Sequence, residues 1–252
     1  MACQLMLQEI KKESVDHKLE RKIKAYTEKL SRHFKQGYLV LWSDAYPIER
    51  LMILAARKAG IPSICIQHGV TRMAANQCFR DGLFADYVFV YDERQRQIFA
   101  ERRGSAEKVI VMGYYKNCLV REKIPPLRLK NNRKICLLGQ AFSTFDSSQG
   151  DRYMQIALEV CDLLECAGFE VFYKPHPGED LEDYKAQFSK IFTGSLDEAF
   201  TEFDVFISST STALLEASLC KKVAIQIFDD FFSAEHFETY GYAYSLPFNE
   251  LS

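Results

Sequence analysis

Short apolar runs alternate with amphipathic helical segments along this chain, and this alternation constrains the fold more than any other feature of the sequence. In the first half, the strand-like runs lie at 37–42, 61–66, 87–90 and 109–112. Segments with helical periodicity lie between them at 48–56 and 92–103. Apolar runs of this length are typical of strands buried in a parallel sheet, and repeated strand–helix–strand units predict an α/β fold.

A break in the alternation separates this half from a second series of the same units. Residues 123–132 contain two adjacent prolines and a run of polar side chains, which is typical of a linker. Beyond it, we expect strands at 134–138, 169–173, 204–207 and 223–228. We expect helices at 153–167, 181–188, 196–202 and 212–219. The sequence therefore predicts two Rossmann-like parallel-sheet domains, 1–127 and 128–252, which face a cleft and bind ligands at the carboxyl ends of their strands.

The composition argues against several classes of protein. Of the 252 residues, 48% are hydrophobic, so the chain can bury a core, and a net charge of −2 argues against a broad basic surface for nucleic acid. The eight cysteines form no C-x-x-C pair, which argues against a zinc site and favours a reducing, cytoplasmic compartment. The sequence shows no secretory signal and no run of about 20 apolar residues, so any membrane contact is expected to be peripheral.

The opening segment, residues 2–34, is charged and has helical periodicity. Its basic residues are Lys11, Lys12, Lys18, Arg21, Lys22, Lys24, Lys29 and Arg32, and Lys35 follows directly after the segment. A basic amphipathic helix can lie on the anionic inner face of a membrane. It can equally pack its apolar side on the first domain, because acidic residues dilute its positive charge.

Polar clusters follow the expected strands of the second half. Gly139 and Gln140 come directly after the first of these strands, where a glycine allows a ligand to approach the backbone; a simple turn has the same pattern. The second cluster is Lys174, Pro175, His176 and Pro177. The prolines restrict the backbone on both sides of the imidazole, and the lysine adds a cation. This arrangement suits phosphate binding or proton donation to a leaving group, and a rigid turn with a solvent-facing histidine is the alternative.

A third cluster of hydroxyl residues bridges an expected strand and the amino end of the next helix. Its members are Ser208, Ser209, Thr210, Ser211 and Thr212. Hydroxyls at a helix amino end favour a phosphate site, whereas ordinary capping needs only one of them. Glu216, one turn further, is interpreted either as a ligand for a ribose hydroxyl or as a solvated helix residue.

The first half offers candidates for a general base. Asp44 and His68 follow strands that are expected to be neighbours. Asp44 is either a base or the cap of the helix that follows, and His68 is a base, an acceptor contact or a hydrogen-bonded core histidine. Asp81, which precedes Gly82, is a weaker candidate. The chain contains neither G-x-G-x-x-G nor a P-loop motif, so both of those phosphate loops are excluded.

On these motifs, the chain resembles bacterial surface-carbohydrate transferases of the GT-B fold, especially the sialyltransferase, polysialyltransferase and Kdo-transferase-like capsule enzymes. The Lys174–Pro177 stretch is similar to their HP motif, and the Ser208–Thr212 stretch is similar to their serine/threonine motif. Gln67-His68-Gly69 also resembles a segment of the polyol-phosphate transferases of teichoic acid synthesis. The chain is short for this fold, so its first domain is expected to be a reduced version.

The resemblance implies an inverting, metal-independent glycosyltransferase without a further cofactor. Its donor would be a CMP-activated acidic sugar of the sialic acid or Kdo type, and its acceptor a surface glycan. His176 would stabilise or protonate the departing phosphate, and His68 or Asp44 would deprotonate the acceptor. Two alternatives stay open: transfer of a polyol phosphate from a CDP-activated donor, and a non-catalytic subunit that binds a nucleotide sugar within a capsule assembly.

Overall fold

A computed structural model gives the fold of two compact units, Met1–Tyr115 and Lys116–Ser252. The structure describes residues 13–44, 46–70, 85–103, 106–114, 127, 133–141, 147–179, 185–229, 231 and 236–251. Of the expected linker at 123–132, only Leu127 lies within the described residues. The boundary between 127 and 128, and the cleft, therefore stay predictions.

The first unit is a parallel four-stranded sheet with its helices between the strands. Its elements are α1 (Glu13–His33), β1 (Leu39–Leu41), α2 (Pro47–Lys58), β2 (Ser63–Ile66), β3 (Tyr87–Val90), α3 (Glu93–Arg103) and β4 (Val109–Val111). The strands lie in the order β1-β2-β3-β4, and every pairing is parallel. The predicted strand and helix series of this half is confirmed in the described residues.

One face of this sheet carries the core of the unit and the other face is open. Cys65, Val88 and Val109 lie in one row across the strands and pack with Ile53 of α2 and Phe99 of α3. On the opposite face, Ile64, Ile66 and Phe89 are half-buried, and three further apolar side chains are exposed. They are Val40 (53% exposed), Tyr87 (43%) and Ile110 (40%).

Helix α1 uses its apolar side to pack against α2. Ile23 is buried with Leu51 and Ala55 of α2, and Leu19 and Leu30 pack against the same cluster. The interpretation in which this side packs on the first domain therefore describes the structure, and contact of the helix with a membrane stays a prediction. Among the described helices, none is long and apolar enough to cross a membrane.

The second unit is a parallel five-stranded sheet. Its elements are β5 (Lys134–Leu138), α4 (Ser147–Cys166), β6 (Glu170–Lys174), α5 (Leu196–Glu202), β7 (Val205–Ser208), α6 (Ala213–Leu219), β8 (Val223–Phe228) and β9 (Tyr244–Pro247). The strand order is β6-β5-β7-β8-β9. The chain therefore moves outward from β5 first in one direction and then in the other, and the strand order reverses between β5 and β7. Such a reversal opens a crevice at the carboxyl ends of the two strands, which is where doubly wound sheets bind ligands.

The second unit differs from the sequence prediction at two places, and a third prediction lies partly outside the described residues. Helix α4 begins at Ser147 rather than 153, because the apolar periodicity marks only the part that packs and the backbone helix extends beyond it. Strand β9 was not predicted; it is a four-residue edge strand that ends in a proline, and such short runs carry a weak signal. Of the helix expected at 181–188, residues 181–184 lie outside the described part of the chain.

Candidate functional site

A cavity of about 550 Å³ lies at the carboxyl ends of β5 and β6 in the second unit. Its walls are the loop after β5, the turn after β6, the segment before α5 and the start of α6. The lining residues are Leu138, Gly139, Lys174, Pro175, His176, Pro177, Glu179, Phe192, Thr193, Gly194, Ser195, Leu196 and Ala213. The structure thus brings the loop after β5 together with the Lys174–Pro177 stretch, as the strand pattern predicted.

The backbone of the turn fixes the protonation pattern of His176. The backbone N–H of Gly178 donates to Nδ1 of the imidazole at 3.0 Å. Because an N–H group can only donate, Nδ1 must accept and is unprotonated, so the neutral ring carries its proton on Nε2. His176 is therefore a hydrogen-bond donor through Nε2.

The surroundings of His176 keep its ring neutral. Partial burial in the cavity wall lowers the pKa of His176 below 6.5, and the cation of Lys174 lowers it further. Lys174 itself donates from Nζ to the carbonyl oxygen of Gly194 at 2.6 Å, and its cation lies 5.8 Å from the ring centre of Phe192. Lys174 therefore also fastens the segment before α5 to the end of β6.

A glycine is required at position 139, because other atoms of the protein fill the space that a side chain would occupy. A Cβ at this position would lie 2.7 Å from the hydroxyl oxygen of Tyr173 and 2.8 Å from the backbone nitrogen of His176, both closer than a Cβ atom tolerates. Its backbone N–H donates to the carbonyl oxygen of Lys174 at 2.8 Å. The close approach to Gly139 is therefore made by the turn after β6, and contact of a ligand with Gly139 stays a prediction.

Gln140 links the loop after β5 to the hydroxyl cluster after β7. Its side-chain nitrogen lies 3.5 Å from the hydroxyl of Ser208, and the hydroxyl of Thr210 donates to its side-chain oxygen at 3.5 Å. Ser208 also donates to the carbonyl oxygen of Leu138 at 3.2 Å. These bonds cross the gap between β5 and β7, which is the point where the strand order reverses.

The five hydroxyl residues divide into two groups. Ser208 and Ser209 are buried, with 2% of each residue exposed, and the carbonyl oxygen of Ser209 accepts from the side chain of Gln226 at 2.9 Å. Thr210, Ser211 and Thr212 are half-buried. The buried pair holds the loop in place. None of the five hydroxyl residues belongs to the residues that line the cavity, so their role in binding a phosphate stays a prediction.

Helix α6 is capped by one hydroxyl of this group. The side chain of Ser211 accepts from the backbone N–H of Ala213 at 3.2 Å, while Thr212 makes no capping bond. Capping therefore accounts for one residue of the five. Glu216 is buried on α6 with 8% exposed, so its interpretation as a solvated residue is wrong, and its role as a ribose ligand stays a prediction.

His68 in the first unit has the opposite hydrogen-bond pattern to His176. It lies after β2, and its Nδ1 is 2.8 Å from the carbonyl oxygen of Trp42, the residue after β1. A carbonyl can only accept, so Nδ1 carries a proton, and in the neutral form of the ring Nε2 carries the lone pair. The segment is held by Gln67, which is buried and contacts Gln95 at 2.5 Å. His68 is exposed rather than a core residue, and it is a proton acceptor through Nε2.

Asp44 is a buried carboxyl group at the same edge of the first sheet. Only 2% of the residue is exposed, and the backbone N–H of Ala85 lies 3.4 Å from its Oδ2 atom. The capping position of α2 is occupied by Tyr46, so the interpretation of Asp44 as the helix cap is wrong. Asp81 and Gly82 lie outside the described residues.

Two parts of the cavity wall were missed by the sequence analysis. Glu179 follows the Lys174–Pro177 stretch and accepts several hydrogen bonds there, but a lone glutamate in a turn carries no sequence signal. The segment before α5 was detectable: Ser195 and Glu198 form a capping box, and an S-x-x-E pattern marks a helix start.

Comparison with solved structures identifies the architecture, whereas no protein-family model and no curated protein matches the chain. A UDP-GlcNAc 2-epimerase from Methanocaldococcus jannaschii is 15% identical, with a TM-score of 0.52 over 92% of this chain and 72% of that one. A glycosyltransferase from Rickettsia africae is 14% identical, with a TM-score of 0.51 over 86% of this chain and 63% of that one. Anabaena HepE in complex with UDP is 12% identical, with a TM-score of 0.51 over 91% of this chain and 71% of that one.

These likenesses concern the fold, since every identity is low and the chain spans less than two thirds of the Rickettsia protein. They agree with the two all-parallel sheets of the chain. The chain therefore has a GT-B-like fold made of two Rossmann-like units.

Proposed function

We propose that this chain is a glycosyltransferase that binds a nucleotide-sugar donor in the cavity of its second unit. The observation that carries the proposal is His176, held between two prolines with its neutral Nε2–H at a cavity of about 550 Å³. That volume suits a nucleotide-sized ligand. A fixed hydrogen-bond donor beside a departing phosphate stabilises the charge that develops there.

The leaving nucleotide would be held by two sets of groups. His176 would donate to a phosphate oxygen from the turn after β6. The half-buried hydroxyls of Ser211 and Thr212 would donate from the loop after β7, whereas the hydroxyl of Thr210 already donates to Gln140. Because His176 is neutral at pH 7, its role is hydrogen-bond donation to the phosphate rather than delivery of a proton from an imidazolium.

The acceptor hydroxyl needs a base, and His68 supplies the better chemistry. With its proton on Nδ1, the neutral ring offers Nε2 as a proton acceptor. The acceptor oxygen would form a bond to the anomeric carbon while the bond from that carbon to the phosphate oxygen breaks, and the acceptor proton would pass to Nε2. Asp44 is the second candidate, and its burial distinguishes it from the exposed His68.

For the donor nucleotide we propose UDP in place of the CMP expected from the sequence motifs. Support comes from the solved structures, of which one is named for UDP-GlcNAc and one contains UDP. The acidic sugar and the surface-glycan acceptor stay predictions from the resemblance. A cytoplasmic location with peripheral membrane contact also stays a prediction.

A thermal-shift screen followed by turnover tests the proposal. We expect UDP to raise the melting temperature of the wild type, and His176→Ala to reduce that shift, while His17→Ala on exposed α1 serves as the matched histidine control. Stabilisation by CMP alone would restore the sialyltransferase-like assignment, and stabilisation by CDP-glycerol alone would favour polyol-phosphate transfer. Binding of UDP without sugar transfer to any glycan acceptor would favour the non-catalytic subunit, and conversion of UDP-GlcNAc to its 2-epimer would replace transfer by epimerisation.

A further inference from the structure

Glu179 gathers hydrogen-bond donors from two loops of the candidate site. The backbone N–H of His176 donates to its Oε2 atom at 2.6 Å, and the backbone N–H of Gln140 donates to Oε1 at 3.3 Å. The hydroxyl of Tyr173 lies 3.0 and 3.2 Å from the two carboxylate oxygens. One carboxylate therefore joins the turn after β6, the loop after β5 and a side chain from within β6.

The third of these donors fixes the carboxylate to the core. Tyr173 is fully buried in β6, and its ring stacks on Phe188 with the centroids 4.1 Å apart and the planes 5° apart. Its hydroxyl is therefore a fixed donor. Gly139 shows how closely these groups pack, since an added Cβ would collide with the Glu179 carboxylate, the Tyr173 hydroxyl and the His176 backbone together.

The same carboxylate closes the turn that orients the imidazole. Glu179 also donates its backbone N–H to the carbonyl oxygen of His176 at 2.9 Å. Between these two bonds lies Gly178, whose N–H sets the tautomer of His176. If the turn opened, Gly178 would move away from Nδ1 and the ring would lose the contact that keeps its proton on Nε2.

We propose that Glu179 is the positioning residue of the site: its carboxylate holds the turn that presents His176 as an Nε2–H donor. A carboxylate is required, because it can accept from all three donors, whereas an amide would place an NH₂ group against at least one of them. This inference depends on the proposed function for the role of His176 in binding a phosphate. The tautomer of His176 does not depend on the proposed function, because it follows from the bond to Gly178.

A second role is possible for Glu179: its carboxylate, bound by two backbone N–H groups, could occupy the place of the donor phosphate. In that case Glu179 would compete with the donor, and its removal would strengthen nucleotide binding. The two roles predict opposite signs for one variant, so a single measurement separates them.

The test uses Glu179→Gln and Glu179→Ala in the full chain, with nitrogen chemical shifts of the His176 ring as the first readout. In the wild type, Nδ1 should show the shift of an unprotonated, hydrogen-bonded nitrogen and Nε2 that of a protonated one. In both variants we expect the two shifts to move toward each other, as expected for exchange between tautomers. Asp86→Asn is the matched control, because Asp86 in the first unit likewise accepts from a backbone N–H and a hydroxyl, both of Ser63, and it should leave the ring shifts unchanged.

The second readout is the affinity for UDP, which we expect to fall about tenfold in Glu179→Gln, the usual effect of losing a hydrogen bond to a charged group. Tyr173→Phe keeps the stacked ring and removes only the hydroxyl. It should therefore change the ring shifts and the UDP affinity in the same direction as Glu179→Gln, but by a smaller amount. Unchanged His176 shifts in folded Glu179→Gln and Tyr173→Phe would overturn the inference, and so would tighter UDP binding. Altered shifts in a protein that binds neither UDP, CMP nor CDP-glycerol would support the positioning role and refute the proposed function.

Discussion

The two sheets are built from the same parallel strand–helix units, yet among the described strands the order reverses in the second sheet alone. The first sheet runs β1-β2-β3-β4 without a reversal, whereas the second reverses between β5 and β7. The first sheet exposes apolar side chains on one face, while the four residues Ile135–Leu138 of β5 are all buried. Burial on both faces is the usual state of parallel strands, and the central strand β5 reaches it in the unit that holds the cavity.

The two histidines differ in the same instructive way. Each follows a strand, but His176 accepts from a backbone N–H through Nδ1, whereas His68 donates to a backbone carbonyl. One ring therefore presents a proton and the other a lone pair. The sequence shows the same residue type in both places, and only the backbone partner distinguishes a group that stabilises a leaving phosphate from one that accepts a proton.

Ion pairs provide the largest expected contrast in stability between the units. Lys222 and Asp204 form a buried pair at 2.7 Å in the second unit, whereas Arg57 and Asp86 form a largely exposed pair at 3.5 Å in the first. Lys222→Met leaves a buried carboxylate and should lower the free energy of unfolding by about 3–5 kcal/mol. Arg57→Met should change it by at most about 1 kcal/mol.

Urea unfolding can assign these losses to a unit, because the chain has a single tryptophan, Trp42, in the first unit. Circular dichroism reports on both units, and Trp42 fluorescence reports on the first. We expect Lys222→Met to shift the dichroism transition to lower urea and to leave the fluorescence transition in place. An equal shift of both transitions would show that the units unfold together, and the contrast in stability would then have to be abandoned.

The next largest expected effects are on catalysis. Loss of the candidate histidine in each unit should lower kcat, but only loss of His176 should weaken UDP binding. His176→Ala removes a donor to the leaving group and should lower kcat about 10²–10³-fold and weaken UDP binding. His68→Ala removes the base and should lower kcat about 10²-fold or more with UDP binding unchanged. Steady-state kinetics with UDP release, combined with calorimetric UDP titration, separates the two. Loss of UDP binding in His68→Ala would contradict the assignment of His68 to the acceptor step.

Matched valines test whether the open face of the first sheet differs energetically from the buried second sheet. Val171 in β6 is 1% exposed and Val40 in β1 is 53% exposed. A change to threonine keeps the shape and the branching at Cβ and adds a hydroxyl. Val171→Thr should cost about 1–3 kcal/mol in the free energy of unfolding, and Val40→Thr less than about 0.5 kcal/mol. A cost at Val40 equal to that at Val171 would mean that this face is covered in solution.

The sequence predicted the strand–helix series well, because apolar runs and helical periodicity arise from burial, and burial determines these elements. It placed His176 and Gly139 in one site, since both follow strands of one parallel sheet. It could not predict strand order, so the reversal between β5 and β7 was not foreseen. Nor could it predict which group each polar atom meets: Asp44 looked like a helix cap, and Glu179 carried no signal although it accepts three donors.

The smallest effect concerns the pKa of His176, which burial and the nearby Lys174 hold below 6.5. An unfolded histidine binds its proton more readily, so this group's contribution to stability is complete above about pH 6.5. The contribution is lost as the pH falls from there toward the folded pKa. Lys174→Met removes the cation but leaves the burial, so the pKa of His176 should rise toward, but not reach, its ordinary value.

A nitrogen-resolved NMR titration of the His176 ring measures this change directly. Lys190→Met is the matched control, because Lys190 belongs to the same unit and lies 5.9 Å from the ring centre of Phe172 rather than in the cavity. We expect the titration midpoint to move upward in Lys174→Met and to stay in place in Lys190→Met. A midpoint that moves downward in Lys174→Met would show that loss of the bond to Gly194 buries the ring more deeply. The added burial would then lower the pKa of His176 by more than the loss of the cation raises it. The contrast between His176, which presents a proton, and His68, which accepts one, would then rest on their tautomers alone.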